Sequence, residues 1–272
     1  MAEPGKKRGR PKSQFTESSA SILQSLDRAL GVLDTLSRQH AASLTDIAVR
    51  LGIPTATTHR ILTTLQKRRF AEFDEASQTW MVGIEAYRIG TSFLKRTNLL
   101  DISRPVMREL MRTTGETANL AIPDGTEVVF IGQVETQNPI RAFFNHGTRT
   151  SMHASGTGKA ILAAMDDEKV RLLMQATGLE EFTDHTLATP ADLLEDLAIT
   201  RARGWSFDRE ERFDGMSCIG AAIYDSLGEP MAGVSISGPT SRFGDRQIDG
   251  LGDQVSRAAT KISASIGGAP RK

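Results

Sequence analysis

The segment 153–160, with the sequence His-Ala-Ser-Gly-Thr-Gly-Lys-Ala, contains the residue types that point most directly to chemistry. A glycine-rich turn that opens a helix presents free backbone N–H groups and a positive dipole end to a small anion. The segment is not a nucleotide-binding P-loop, because His153 replaces that motif's first glycine and Ala160 replaces its hydroxyl residue. Ser155 also lacks the flanking glycines of a hydrolase nucleophile elbow. We therefore expect small-anion binding without nucleotide hydrolysis.

A second group of candidate residues follows Gly52, in a segment rich in threonine and basic side chains. Threonine hydroxyls can bond base edges, threonine methyls can contact thymine, and an arginine can bind guanine or phosphate. The predicted DNA contacts are Thr55, Thr57, Thr58, Arg60 and Thr64. Thr58 is expected to face partly inward and to reach only phosphate. His59 has two interpretations, a structural histidine between helix and wing, which we favour, or a DNA ligand. The alternative for the whole segment is a basic, solvated helix face.

The N-terminal residues 1–21 are rich in Gly, Pro, Ser, Lys and Arg, which predicts a basic, disordered arm. The arm contains Arg-Gly-Arg-Pro, the core of the AT-hook motif, in which Arg8 and Arg10 would enter a narrow A·T-rich minor groove. The alternative is an arm that makes only sequence-independent phosphate contacts.

The elements that must position the threonines and Arg60 can be read from apolar spacing and capping residues. Apolar residues recur at spacings of three and four after residue 21, which predicts a helix. Ser43 can cap a second helix, Gly52 can end it, and a third helix follows. Two β-prone runs, 70–74 and 79–83, predict a hairpin. This order predicts a winged helix-turn-helix domain over residues 22–83.

The rest of the chain is expected to form linker helices over residues 84–114 and an α+β domain over residues 115–268. Strands are predicted at 117–122, 127–135, 140–144, 217–224 and 230–237, and helices at 158–165, 167–177, 191–203 and 245–266. Strands flanked by helices, over about 150 residues, are typical of one α+β domain.

The net charge of zero, from 33 basic and 33 acidic residues, hides an uneven distribution. Residues 1–80 contain 12 basic and 8 acidic residues, and the remaining 192 contain 21 and 25. A basic N-terminal part on a mildly acidic body indicates a polyanion-binding module. The single cysteine excludes an intrachain disulfide framework and a zinc cluster, so we expect no metal and no cofactor. Without an apolar run of about 18 residues or a signal peptide, we expect a cytoplasmic, nucleoid-associated protein.

Four segments together resemble the IclR-type transcriptional regulators, over residues 20–268. They are Thr-Thr-His-Arg at 57–60, the glycine-rich segment 153–160, Arg-Gly-Trp-Ser-Phe-Asp at 203–208, and Val-Ser-Ile-Ser-Gly-Pro at 234–239. The resemblance implies a winged-helix DNA-binding domain, a helical linker and a GAF-like effector-binding domain. It also implies assembly as homodimers and often as dimers of dimers, that is, homotetramers.

The resemblance to glyoxylate- and pyruvate-responsive members implies an effector site here. The implied residues are Gly156, Thr157, Asp208, Cys218, Ser235 and Ser237. Some relatives have alanine at the position of Thr157, so the threonine adds a hydroxyl donor in this chain. Ser235 and Ser237 project from the same strand face, so their hydroxyls and the loop N–H groups can hold a carboxylate. Asp208 can accept a hydrogen bond from a hydrated aldehyde.

Two of these assignments have alternatives. Cys218 is either a small buried hydrophobe or a pocket wall beside the ligand, and the resemblance favours the wall. The two serines can instead make routine hydrogen bonds on a paired strand surface.

These observations predict a transcriptional regulator whose binding to double-stranded operator DNA is modulated by a small carboxylic or 2-oxo acid, glyoxylate first. One alternative is an enzyme using His153, His185 or Asp208, which no complete nucleophile–base–acid spacing supports. The other is a constitutive architectural DNA-binding protein in which the arm dominates.

Overall fold

The structure of the chain, a computed structural model, describes residues 23–95 and 98–270, apart from the side chains of 93–95. The predicted arm, with the predicted minor-groove contacts Arg8 and Arg10, lies outside the described residues. No helix in the described part of the chain is long and apolar enough to cross a membrane.

The described residues form two compact units, divided between Phe93 and Leu94, which we describe separately. The elements of the first unit are α1 (Gln24–Arg38), α2 (Leu44–Leu51), α3 (Thr55–Lys67), β1 (Ala71–Asp74) and β2 (Thr79–Val82). The antiparallel β1–β2 hairpin forms the wing, so the order predicted for a winged helix-turn-helix is confirmed. Helix α4 (Ile84–Lys95) follows and crosses the boundary between the units.

The helix-turn-helix geometry follows from local capping and from one small core. Ser43 accepts a hydrogen bond from the backbone N–H of Asp46 at the start of α2. Gly52 ends that helix with φ of 60°, a left-handed conformation that favours glycine. The core of the unit is made by side chains from all three helices and the wing. They include Val32, Leu36, Ile47, Leu62 and Trp80.

The second unit is a six-stranded antiparallel sheet between two helical layers. Its elements are α5 (Leu99–Thr114), β3 (Thr117–Asp124), β4 (Glu127–Val134), β5 (Arg149–Ser151), α6 (Gly156–Ala163), α7 (Asp167–Thr177), α8 (Pro190–Arg203), β6 (Ser206–Arg209), β7 (Met216–Tyr224), β8 (Pro230–Pro239) and α9 (Asp245–Ser265). The strand order is β5-β4-β3-β8-β7-β6. This is the predicted α+β class.

Each face of the sheet buries its own apolar core. Helices α5 and α9 pack on one face, and α6, α7 and α8 belong to the core on the other. The predicted linker 84–114 is therefore divided, because α5 is built into the second unit through Leu99, Met107 and Leu110.

One predicted strand is absent from the structure, and two observed strands, β5 and β6, were not predicted. Residues 140–144 are irregular and not a strand, and β5 is the edge strand instead. In the irregular segment Phe144 stacks on Phe130 with ring centroids 4.5 Å apart, so its apolar residues pack without strand pairing. Strand β6 was not predicted, because Ser206–Arg209 contains only four residues and two of them are charged.

Candidate functional site

The predicted DNA-reading face of α3 is divided between exposed and buried residues. Thr55, Arg60 and Thr64 are exposed and Thr57 is half-buried, so all four are accessible. The side chain of Thr58 is fully buried, and its hydroxyl donates to the carbonyl of Pro54 at 3.3 Å. The predicted DNA contact of Thr58 is therefore wrong, because its position places it in the domain core.

The exposed residues of α3 differ in whether their polar atoms already make a hydrogen bond within the protein. The hydroxyl of Thr64 donates to the carbonyl of Arg60 at 2.8 Å, within the helix. His59 is also exposed, so the favoured interpretation as a structural histidine between helix and wing is wrong.

Some of the predicted effector residues line one cavity of ≈ 340 Å³ in the second unit, which we call the effector cavity. Its lining residues are Phe130, Arg141, Ala142, Phe143, Phe144, Thr150, Ala154, Ser155, Asp208, Arg212, Phe213, Met216, Ser217, Cys218 and Ser237. Three of the six predicted effector residues, Asp208, Cys218 and Ser237, are in this wall. The other three, Gly156, Thr157 and Ser235, are buried.

The N-terminus of α6 lies very close to β7 because small residues face each other there. A side chain on Gly156 would meet the carbonyl oxygen and the Sγ atom of Cys218 at 2.8 Å. A side chain on Gly220 would meet the backbone of Gly156 at 2.5 Å. Glycine is therefore required at both positions for this approach.

The Asp208 carboxylate uses one of the loop N–H donors that the sequence analysis assigned to the ligand, that of Gly156. This carboxylate accepts from the backbone N–H groups of Glu211, at 2.9 Å, and of Gly156. Burial raises the pKa of Asp208 to about 6, against the lowering effect of Lys159. Asp208 therefore places an ionisable carboxyl in the cavity wall, able to accept a hydrogen bond from a ligand hydroxyl.

Cys218 lies between the two predicted serines and the start of α6. Its thiol is half-buried, and burial raises its pKa to about 11, with the Asp208 charge adding to the rise. The hydroxyls of Ser235 and Ser237 both approach this thiol. Ser237 also accepts from the Asn119 side chain at 3.2 Å, whereas the Ser235 hydroxyl has no other partner among the described residues.

A buried charge cluster behind the cavity was missed by the sequence analysis. The fully buried ammonium of Lys159 lies 2.5 Å from Glu211 and 3.1 Å from Asp196, and donates to the carbonyl of Phe207 at 2.6 Å. Burial raises the pKa of Glu211 to about 8. The signal was Lys159 itself, a charged residue at the start of the predicted helix 158–165, whose other residues are small or apolar.

Two arginines and several phenylalanines of the effector cavity were also missed. Arg141 and Phe144 lie in the irregular segment that was predicted to be a strand, and Arg212 and Phe213 follow β6. The guanidinium of Arg212 stacks 3.7 Å from the ring centre of Phe182. Because loops bring these side chains to the cavity, no periodic pattern marked them.

Comparisons with known proteins match both units. Residues 25–75 match the IclR helix-turn-helix domain, and residues 91–264 match the bacterial transcriptional regulator IclR C-terminal domain. The HTH-type transcriptional regulator BhcR of Paracoccus denitrificans (strain Pd 1222) is 46% identical over 271 residues, 98% of this chain and 96% of BhcR. The transcriptional repressor IclR of Escherichia coli (strain K12) is 40% identical over 265 residues, 96% of this chain and 97% of the repressor.

A solved structure supports the same assignment. The crystal structure of Thermotoga maritima IclR is 28% identical, covers 90% of this chain and 99% of its own, and has a TM-score of 0.75. The relatives are named as transcriptional regulators, which confirms the prediction of a regulator over the enzyme alternative. This chain belongs to the IclR family of transcriptional regulators, with an N-terminal helix-turn-helix domain and a C-terminal effector domain.

Proposed function

We propose that a small carboxylic or 2-oxo acid, with glyoxylate as the first candidate, binds in the effector cavity and modulates operator binding. The observation that carries the proposal is the meeting of Asp208, Cys218 and Ser237 on the wall of one cavity. Arg212 lines the same cavity and supplies positive charge for a carboxylate, whereas Arg141, also in the wall, is paired with Glu135 at 2.9 Å. The effector cavity thus combines cationic, hydroxyl and carboxyl groups.

The chemistry assigns different roles to these groups. The Arg212 guanidinium favours the carboxylate of the acid, and Ser237 offers it a hydroxyl donor. Ionised Asp208 accepts from a hydroxyl of the acid, such as that of a hydrated aldehyde. A cavity of ≈ 340 Å³ also has room for a larger acid, so an aromatic acid is the appropriate comparison.

On the DNA side, the proposal assigns contacts to the accessible face of α3. Thr55, Thr57, Arg60 and Thr64 face the major groove, and Arg8 and Arg10 of the arm add contacts to the neighbouring groove or to phosphates. A homodimer, or a dimer of dimers, reads the two half-sites of a pseudo-palindrome. The acid shifts operator binding only if its affinity differs between the DNA-competent and incompetent arrangements.

The test is a mobility-shift assay on the intergenic DNA beside the protein's own gene, with glyoxylate, pyruvate or benzoate added. We expect a specific shift that glyoxylate changes, and saturable glyoxylate binding in calorimetry. A shift that no acid alters would contradict the acid proposal and favour the architectural alternative. A response to benzoate alone would assign the cavity to a larger acid.

A further inference from the structure

A second cavity of ≈ 310 Å³ lies in the same unit, beside the effector cavity. Its lining residues are Thr126, Glu127, Ser151, Met152, His153, Leu162, Leu173, Met174, Thr177, Gly178, Leu179, Glu180 and Leu193. The side chains of Met152, Leu162, Met174 and Leu193 are buried and apolar. Hydroxyl and carboxylate side chains provide the polar part of the wall. This combination suits a small molecule with an apolar body and one polar end.

The charged groups that line the second cavity favour a cation. No lysine or arginine is among its lining residues, whereas the effector cavity has two arginines. Helix α7 ends at this cavity, which is lined by Thr177 and Gly178. The last turn of α7 has no basic residue to balance the negative end of the helix dipole. Glu180 adds a carboxylate.

Two neighbouring groups do not reverse this charge balance. Glu127 is paired with Arg149 at 2.6 Å, so this pair contributes little net charge. Burial lowers the pKa of His153, and the positive charges of Arg212 and Lys159 add to the lowering against the opposing effect of Glu180, so its ring is neutral at pH 7. Its Nε2 lies 2.9 Å from the carbonyl oxygen of Glu180.

We propose that the second cavity binds a small organic amine with an apolar body, and that this amine and the acid of the effector cavity change each other's affinity. The binding of the amine stands on the second cavity alone. The mutual effect rests on the proposed function of the effector cavity.

The two cavities share one wall. Thr150, Ala154 and Ser155 line the effector cavity, and Ser151, Met152 and His153, from the same stretch of chain, line the second cavity. A ligand that displaces this stretch on one side therefore changes the wall on the other side. That is a physical basis for coupling between two sites.

The loop after α7 makes a second connection. The ring of His153 stacks on Phe182 with centroids 5.8 Å apart, and Arg212 of the effector cavity also stacks on the Phe182 ring. In the same loop, Thr183 donates to the carbonyl of Glu210 at 2.7 Å, and Thr186 donates to the carbonyl of Glu211 at 2.6 Å. Movement of this loop thus reaches the segment that carries Arg212.

Calorimetric titration of the full-length protein with benzylamine tests amine binding, with benzoate and benzyl alcohol as probes of the same shape. We expect one saturable benzylamine site per chain, weakened at least tenfold by Thr177→Trp, which fills the mouth. The matched control Gln175→Trp lies on the same helix but does not line the cavity, and it should leave the affinity unchanged. Glu180→Gln should weaken binding about threefold.

Several results would overturn amine binding. They are the absence of saturable binding up to about 10 mM benzylamine, equal affinity for benzyl alcohol, or equal weakening by the two tryptophan variants. Mutual influence is then tested by titrating glyoxylate with and without saturating benzylamine, where we expect at least a threefold change that Thr177→Trp removes. Unchanged glyoxylate affinity would overturn the coupling. Absence of any acid binding would contradict the proposed function while leaving the amine result in place.

Discussion

Four charged side chains share a buried space behind the effector cavity, and they make this unit sensitive to pH. They are Lys159, Asp196, Asp208 and Glu211, contributed by α6, α8, β6 and the segment after β6. Three carboxyls surround one ammonium, so full ionisation leaves excess negative charge where water is scarce. Protons retained at Asp208 and Glu211 relieve that excess.

The pH dependence of stability follows from the raised pKa values of about 6 for Asp208 and about 8 for Glu211. In the unfolded chain both carboxyls return to pKa values near 4. Between about pH 4 and 8 the folded state holds protons that the unfolded state has lost. The contribution of these protons to the free energy of unfolding is therefore fully present below about pH 4 and is lost as the pH rises to 8. The free energy of unfolding should fall by up to about 1.4 kcal/mol per pH unit for each such proton.

Urea unfolding from pH 5 to 8, followed by Trp205 fluorescence in a Trp80→Phe background, measures this slope for the second unit. Glu211→Gln should flatten the slope between pH 6 and 8. Glu210→Gln is the matched control, because hydrogen bonding from the Gly215 N–H lowers the pKa of Glu210. Equal slopes in the protein with and without Glu211→Gln would contradict a proton held at this residue.

Ser235 and Ser237 lie on the same strand face, but only Ser237 lines the effector cavity. Ser237→Ala should weaken glyoxylate binding about 10- to 150-fold, because a hydrogen bond to a charged group contributes about 1.5–3 kcal/mol. Ser235→Ala should change the affinity less than about twofold and is the matched control. Calorimetry measures the glyoxylate affinity of both variants. Equal weakening by the two substitutions would show that the acid reaches behind Cys218.

At the scale of elements, α3 presents Arg60 among exposed threonines. Arg60→Ala should weaken operator binding about 5- to 150-fold, as expected for loss of a base contact of about 1–3 kcal/mol. Acid binding should be unchanged, because Arg60 belongs to the other unit. Footprinting and calorimetry measure the two effects, with exposed Gln66→Ala, near the end of α3, as the control. An unchanged footprint would contradict the assignment of α3 as the recognition helix.

The elements that could be predicted are those with local signals. Ser43 and Gly52 mark α2 through capping and a left-handed conformation, and apolar spacing marks the long helices. The site was only partly predictable, because its arginines and phenylalanines come from loops without periodicity. Thr58 was misassigned because helical spacing alone did not show that the core encloses it completely.

At the scale of the whole molecule, each unit has its own apolar core. Leu62 and its neighbours are all in the first unit, and the two cores around the sheet are all in the second. Leu62→Ala should therefore destabilise the first unit by about 2–5 kcal/mol and leave glyoxylate affinity unchanged. Scanning calorimetry should show a lowered transition temperature for the first unit and an unchanged transition temperature for the second. Equal lowering of both transitions would contradict independent cores.

The uneven charge distribution leads to a prediction about the arm. Deleting residues 1–13 removes five basic residues and one acidic residue from each copy of the chain. Operator affinity should fall, and its salt dependence should become shallower by about 0.9 for each lost phosphate contact. Affinity measured at several salt concentrations, on the operator and on a G·C-rich sequence, tests this expectation. An unchanged salt slope would contradict a DNA role for the arm. An equal loss of affinity for both sequences would favour phosphate contacts. A loss of affinity confined to A·T-rich sites would favour minor-groove reading by Arg8 and Arg10.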